Sequence, residues 1–472
     1  MMRIPLTMLL SAALAMAHAQ DGTLLPRAAV VRMVLENHPV ARQAGLRTAM
    51  GEATEQSARG GFDPLLTAGY NEKEYADKDY YSLFDAGLKV PTWYGVELLG
   101  GYELNSGEQL DPMDLTPGDG LVKAGVSVSL GQGLFIDQRR ATLKRALAYQ
   151  RAAEGERQQM LNTLLFLVLS DHTDWTAAYQ GLQVAREAVE LTRVRYQAVK
   201  GSFVGGDRPA IDTLEAFLQL QDRQLRMQQA ELNFRNTGLR LANHLWDPQG
   251  RPLELAEGTR PDTAELSITG IGLPSDTLVA YAQQVHPQLL QARARLEQLD
   301  VDRRFRAELL KPQLDVKYMF LGDGGAATGE QGPTLLDEGR QLGVGFRMPV
   351  PLRRERGELT LAKLRMTEAE LGLARDRTVI GNRVRERLNE AATMRDQVEL
   401  GASAVANYRG LLNGESQRFA VGESSLFLVN VREVSLLEER LRQVDREARL
   451  VKAVFAAEQE AGVLWSNALR AP

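Results

Sequence analysis

The chain has 472 residues, of which 44% are hydrophobic, a formal charge of -5 and no cysteine. The lack of cysteine excludes disulfides, thiolate metal sites and an N-terminal lipid on cysteine. A mean hydropathy of -0.26 is too polar for a protein built of membrane-spanning helices, and the mixed acidic and basic residues form no basic stripe for nucleic acid.

The N-terminus predicts a secretory signal. Arg3 precedes an apolar stretch from Ile4 to Ala17, and Ala17-His18-Ala19 follows as a small-residue cleavage site. We therefore expect residues 1–19 to be a signal peptide. The alternative, a membrane anchor, requires an apolar stretch of roughly 18 to 20 residues, which is longer than this one. Because no later apolar run is long enough to span a bilayer as a helix, any membrane-embedded part must consist of β-strands.

The mature chain reads as two copies of one unit. Five landmarks occur in the same order in both halves, which indicates an internal duplication. We expect a first repeat over residues 20–250, a linker over 251–274 and a second repeat over 275–472. The paired landmarks are Asn37-His38-Pro39 and Val285-His286-Pro287, Pro64 and Pro312, Gly125-Val126 and Gly343-Val344, Arg139-Arg140 and Arg353-Arg354, and Leu245-Trp246 and Leu464-Trp465.

Each repeat is predicted to contain a helix, strands, a very long helix and a further helix. Residues 137–200 and 353–418 contain no proline and are rich in helix-forming residues, so each predicts one helix of roughly 96 to 99 Å. The flanking helices are predicted at 27–60, 209–244, 275–310 and 424–465. Apolar residues recur at three- and four-residue spacing, which predicts coiled-coil-like packing.

Between these helices the hydrophobic period changes to two, which predicts strands at about 65–131 and 312–348. One face is apolar in every segment, as expected for a transmembrane β-barrel or for a soluble sheet with one covered face. The chain offers only about four to six strands, and the smallest barrels need about eight, so several chains must share one barrel. The apolar positions include Phe84, Ala86, Leu88 and Val90; Val96, Leu98, Tyr102 and Leu104; Val122, Ala124, Val126 and Val128; Leu314, Val316, Tyr318 and Phe320; and Leu342, Val344 and Phe346.

The first repeat contains an additional pair of strand-like segments. It has 45 residues from Ala76 to Gly120, where the second repeat has 19 from Gly322 to Arg340. The surplus holds the alternating segments 83–90 and 94–104. This hairpin either enlarges the barrel or packs on top of it.

Three further segments, together with the duplicated unit, carry a family resemblance. They are Phe62-Asp63-Pro64 and Leu310-Lys311-Pro312, each of which leads into strands, and the loop 418–424. The whole mature chain resembles the outer-membrane efflux protein (TolC) family. The resemblance implies a mainly α fold with a β-barrel portion formed by a homotrimer. The barrel would cross the outer membrane, and the helical tunnel would cross the periplasm. The four strands per subunit usual in the family give a barrel of 12 strands, and six strands per subunit would give 18 if the additional hairpin joins the barrel.

The same resemblance implies a passive exit duct of a tripartite efflux or type I secretion system, without enzymatic activity or a cofactor. The expected partners are a periplasmic adaptor (membrane fusion) protein and an inner-membrane pump or ABC exporter. The rival hypothesis is a soluble periplasmic coiled-coil scaffold or adaptor. The transported substrate cannot be inferred from these residues.

Two loops between helices are candidates for adaptor contact, because the family carries a Val-Gly turn at the tip of its tunnel. The matching residues are Arg418, Val421 and Gly422 and, more loosely, Val204, Gly205 and Gly206. Glycine at such a turn permits a positive φ and leaves the backbone bare for a partner. The alternative is a plain turn between helices.

Candidates for lining the pore lie next to these loops. Some family members carry a ring of aspartates beyond the second loop, but here residues 426–430 contain no acid, and Asn430 and Arg432 are the nearest polar pair. Asp212 and Glu215 of the first repeat share one helical face. If that face points inward, a trimer presents six carboxylates; the alternative is an ordinary solvated face.

Overall fold

Long helices dominate the chain in the computed structural model, which describes residues 24–206, 208–267, 275–324 and 339–470. The longest, α3 and α7, have 67 and 68 residues and each runs about 100 Å at 1.5 Å per residue. The helices are α1 Arg27–Asn37, α2 Pro39–Arg59, α3 Gln138–Val204, α4 Ala210–Ala242, α5 Ser275–Val285, α6 Pro287–Glu308, α7 Arg353–Ala420, α8 Leu426–Glu460 and α9 Leu464–Arg470.

The helices expected over 27–60 and 275–310 are each interrupted at the His-Pro landmark. Proline disfavours the helical conformation in the preceding residue, and His38 is extended, with ψ at 134°. The His38 Nδ1 atom accepts the Val40 N–H at 3.1 Å, and the His286 Nδ1 atom accepts the Gln288 N–H at 3.2 Å. Each histidine thus caps the helix that begins at its proline, so the duplication extends to hydrogen bonding.

Burial keeps both capping histidines neutral. Desolvation lowers the pKa of His286 to about 4, with a further contribution from the nearby Arg383 charge. The pKa of His38 is also lowered, by burial first and then by His244. A neutral ring retains the Nδ1 lone pair that the helix cap requires.

Six strands form one antiparallel sheet in the order β2-β3-β4-β5-β7-β8. The two segments of the additional hairpin are β3 and β4, and they pair between β2 and β5. The first repeat therefore contributes four strands and the second repeat two. The strands are β2 Leu65–Tyr75, β3 Lys78–Pro91, β4 Val96–Ser106, β5 Leu121–Ser129, β7 Gln313–Asp323 and β8 Gly339–Arg347; the two-residue strands β1 Leu24–Leu25 and β6 Arg260–Pro261 pair separately in parallel.

The chain divides into two compact units, and each unit draws on both repeats. One comprises the described parts of Met1–Leu46, Gly155–Leu289 and Arg375–Pro472, and the other comprises Arg47–Glu154 and Leu290–Ala374. The first unit has its core around Trp175, which is 1% exposed and packs with Val34, Val168 and Leu241. The second unit contains the whole six-stranded sheet and a small cluster around Phe62 and Leu143.

Candidate functional site at the sheet and the helix turns

One face of the sheet is mainly apolar across all six strands, with Glu72 of β2 and Arg340 of β8 among its few charged members. The register places Leu66 opposite Leu88, Leu88 opposite Gly100, and Gly100 opposite Ala124. The row continues from Ala124 to Phe320 and ends at Arg340, and most of the other pairs on this face are apolar. We call this surface the apolar face; its larger members are Leu66 and Tyr70; Phe84, Leu88 and Val90; Leu98, Tyr102 and Leu104; Val122, Val126 and Val128; Val316, Tyr318 and Phe320; and Leu342, Val344 and Phe346.

The opposite surface, the polar face, carries most of the charged and small residues of the sheet, together with a few apolar ones such as Leu99 and Met319. Lys89 and Glu97 form an ion pair at 2.7 Å, and Lys123 pairs with Glu103. Arg139, at the start of α3, donates to Glu97 at 2.8 Å. These side chains border an open polar hollow of about 730 Å³ between the sheet and the adjoining helix ends.

The side chains of the apolar face are so exposed that lipid or another protein must cover them. Leu66 is 76% exposed, and Leu342 and Phe346 are 64% and 68% exposed. Contiguous apolar surface of this kind marks contact with a membrane or with another protein. No helix in the described ranges has an apolar stretch long enough to cross a bilayer.

The turn between α7 and α8 ends the long helix with a Schellman motif. Gly422 has a φ of +81° and donates its N–H to Phe419 O at 3.1 Å, while the Glu423 N–H reaches Arg418 O at 2.9 Å. A side chain at Gly422 would project into open space. Val421 is 71% exposed beside it. Glycine is therefore required here by backbone conformation rather than by crowding.

The turn between α3 and α4 repeats this geometry. Gly206 has a φ of +85° and donates to Phe203 O at 3.0 Å, so Gly206 is the counterpart of Gly422. Gly205 bonds back to Gly201 O, and Val204 is 78% exposed. The two turns lie side by side, because the Arg208 guanidinium stacks over the Phe419 ring at 4.6 Å.

The four candidates for lining a pore have different surroundings. The Asn430 side-chain amide donates to Glu215 Oε1 at 3.3 Å, so these two residues come together across α4 and α8. Asp212 instead faces Arg208 at 3.4 Å. Arg432 lies 3.7 Å from Glu415.

A polar network around Asn430 includes residues that the sequence did not single out. Arg195 of α3 pairs with Glu433 of α8 through two contacts and donates to Asn430 Oδ1 at 3.3 Å. Arg223 of α4 is 6% exposed, and burial lowers its pKa despite the opposing effect of Asp222. Arg195 and Glu433 are 238 positions apart, and neither belongs to a motif, so no sequence signal could identify them.

Among the described residues, no group of three or more histidine, aspartate or glutamate side chains could hold a metal ion. His172 illustrates why isolated histidines here are structural. It is fully buried, and desolvation lowers its pKa to about 4. What the described surface offers is a two-faced sheet and a pair of exposed helix turns.

Several solved outer-membrane channels are similar to this chain. The open-state MtrE channel of Neisseria gonorrhoeae matches with a TM-score of 0.65 and 14% identity, over 92% of this chain and 88% of MtrE. VceC of Vibrio cholerae gives 0.61 and 14%, over 92% and 95%. The CmeC outer-membrane channel of Campylobacter jejuni gives 0.61 and 14%, over 93% and 88%.

No protein-family model and no curated protein sequence matches the chain. The structural similarity extends over nearly its whole length at low identity. The chain therefore has the fold of the TolC-family outer-membrane channels, and the expected mainly helical fold with a β-sheet portion is confirmed.

Proposed function

We propose that this protein is an outer-membrane exit duct that conducts substrates passively and extends into the periplasm. The observation that carries the proposal is the apolar face, which continues over every strand of the sheet while the reverse face is polar. Lipid covers such a face, and a closed barrel satisfies the strand edges within the bilayer. The shared fold of solved outer-membrane channels supports the same assignment.

The duct is a homotrimer in this proposal. Six strands are too few for a closed barrel, since the smallest have about eight. The sheet of a single chain therefore leaves two edges that only another chain can pair. The trimer itself is implied by the family resemblance.

The two helix turns are the proposed docking points for a periplasmic adaptor. Their exposed apolar residues, Val204 at 78% and Val421 at 71%, stand beside glycines with bare backbone. A surface of this kind suits contact with a partner protein. An inner-membrane pump or ABC exporter would deliver the substrate, so the duct needs no active site or cofactor.

Membrane fractionation separates this proposal from a soluble periplasmic scaffold. We expect the protein in the outer-membrane fraction as a trimer that withstands mild detergent. Recovery as a soluble periplasmic protein would overturn the duct and favour the scaffold. A monomer that still conducts ions in a planar bilayer would overturn the trimer alone.

The Gly422→Val variant tests the docking turn. Valine at a positive φ costs about 1 to 2 kcal/mol of local strain and adds bulk to the exposed backbone. Export should be lost while trimer formation and membrane insertion persist. Gly414→Val is the matched control, because Gly414 also has open space at its Cβ position but lies within α7. Normal export by Gly422→Val would remove the docking assignment.

A further inference from the structure

The additional hairpin of the first repeat is an integral part of the sheet. β3 forms eleven registered pairs with β2 and ten with β4, and β4 forms eight with β5. Except for Leu83 and Leu99, its large apolar residues lie on the same face as those of the other strands, and its charged residues lie on the polar face. A loop that packed on top of a barrel would not need to pair in register with β2 and β5.

The sheet has two unpaired edges that are compatible with each other. β2 and β8 are the edge strands, and they are almost entirely exposed. Successive strands alternate in direction, so the sixth strand runs opposite to the first. The β8 edge of one chain can therefore pair with the β2 edge of a second copy in the antiparallel sense used throughout the sheet.

The strands are staggered in the manner that closure requires. One row of partners runs from Leu65, the first residue of β2, through Lys89, Leu99, Gly125 and Met319 to Gln341. β8 continues to Arg347, six residues beyond Gln341 on the helix side of that row, whereas β2 does not extend there at all. If the same stagger continues across the edge between two chains, Gln341 of one chain lies opposite the residue six positions after Leu65 in β2 of the next chain.

We propose that copies of this chain join β8 to β2 with Gln341 opposite Asn71, so that the trimer forms an 18-stranded barrel. The partner at this edge is a second copy of the chain. The inference rests on the proposed function and specifies the barrel of that duct. It resolves the alternatives of 12 and 18 strands in favour of 18.

Barrel geometry agrees with this register. A displacement of six residues per chain gives a total shear of about 18 residues and a strand tilt of about 35°. A displacement of eight residues per chain gives a total shear of about 24 residues and a strand tilt of about 42°. Both fall in the usual range of about 35–45°. A displacement of β2 relative to β8 by an even number of residues keeps Gln341 and Asn71 on the polar face. A displacement in the opposite direction would place β8 beside α2, which is helical and cannot pair with a strand.

The strand number sets the width of the duct. With strands about 4.8 Å apart and tilted by about 35°, 18 strands give a diameter of about 34 Å, against about 23 Å for 12 strands. Barrels of 16 to 18 strands leave an aqueous channel. The sheet end of this duct is accordingly a wide passage.

Paired cysteines test the edge directly, because the natural chain has none. Gln341→Cys is combined with Asn71→Cys or with Lys73→Cys, which covers displacements of six and eight residues. On oxidation, we expect at least one pair to convert most chains into covalent dimers and trimers that reduction returns to monomers. Gln341→Cys with Glu72→Cys is the control, since Glu72 points to the apolar face and should not cross-link.

A second set of variants tests the hairpin within one chain. Asn71 and Leu83 are registered partners on β2 and β3, so cysteines at these positions should form an intrachain disulfide. Thr67 and Lys123 are three strand spacings apart, about 14 Å, which is too far for a disulfide. A barrel that excludes the hairpin brings β2 beside β5; cross-linking of Thr67→Cys with Lys123→Cys would overturn the inference.

The outcomes separate the two proposals. If the variants form outer-membrane trimers but no cross-link joins β8 to β2, the 18-stranded barrel is wrong and the duct stands. If the unsubstituted chain forms no membrane trimer at all, the duct itself is wrong.

Discussion

Leu98 and Leu99 provide a matched test of which face of the hairpin meets lipid. They are adjacent on β4, so their side chains project from opposite faces: Leu98 lies on the apolar face opposite Val90, and Leu99 lies on the polar face opposite Lys89. We compare Leu98→Arg with Leu99→Arg. Residue type, substitution and depth along the strand are the same, and only the face differs.

The expected cost follows from the position of Leu98. It is the third residue of β4 and lies about 5 Å inside the end of the strand at a tilt of about 35°. Arginine on the lipid face costs roughly 2 to 4 kcal/mol at the midplane and about 0 to 1 near the interface. At this depth, between the interface and the midplane, we expect about 1 to 2 kcal/mol per chain and about 3 to 6 kcal/mol per trimer. Leu99→Arg should cost at most about 1 kcal/mol, for a like charge opposite Lys89.

The assay is the yield of detergent-resistant trimer in the outer membrane, followed by urea titration of folding into lipid vesicles. Leu98→Arg should lower both, and Leu99→Arg should stay near the unsubstituted protein. Leu88→Arg, on the neighbouring strand of the same face, should behave like Leu98→Arg. Equal yields for Leu98→Arg and Leu99→Arg would refute the assignment of the hairpin to lipid.

Further predictions concern the helices. The His286 pKa of about 4 lies below its unfolded value near 6.5, so the unfolded chain takes up the proton first. The contribution of His286 to stability is then full above about pH 6.5 and falls by about 3 kcal/mol as the pH drops to about 4. His286→Asn should remove this contribution, and so reduce the difference between urea titrations at pH 7.5 and 4.5, while the contribution of His172, whose pKa is also lowered to about 4, remains. Trp175→Ala should cost about 3 to 5 kcal/mol in the same titration, since Trp175 is 1% exposed. Arg195→Met should lower the free energy of unfolding by about 3 kcal/mol, because it leaves the Glu433 carboxylate without its partner. The double variant with Glu433→Met should lower it by less; if the effects of the two substitutions are additive, the two residues do not interact.

The helices and most strands were predictable because hydrophobic periodicity reports directly on local structure. The structure begins α3 one residue after the predicted start and extends it to Val204. β2 was not identified as an individual strand, since the adjacent Leu65 and Leu66 blur its alternation and its far half is charged. The helix break at His38 was also missed, although Pro39 is a local signal for it and the cap joins residues only two positions apart.

The helix turns show where sequence reasoning stops. Gly422 was recognisable because its conformation requires glycine, which is a local property. The contact of Arg208 with Phe419 and the pairing of Arg195 with Glu433 join positions more than 200 residues apart. Arginine and glutamate are common on any helix surface, so only the packing of the two repeats identifies these partners.

The six strands per chain have a consequence for the join between sheet and helices. Four helix ends adjoin the sheet within one unit: the end of α2, the start of α3, the end of α6 and the start of α7. In a trimer, 12 packed helices about 9 Å apart form a ring with a circumference of about 108 Å. Eighteen tilted strands have a circumference of about 105 Å, whereas 12 have about 70 Å. In the proposed trimer, the additional hairpin gives the barrel about the same circumference as the ring of helices, so the wall would continue from helices to strands without a taper.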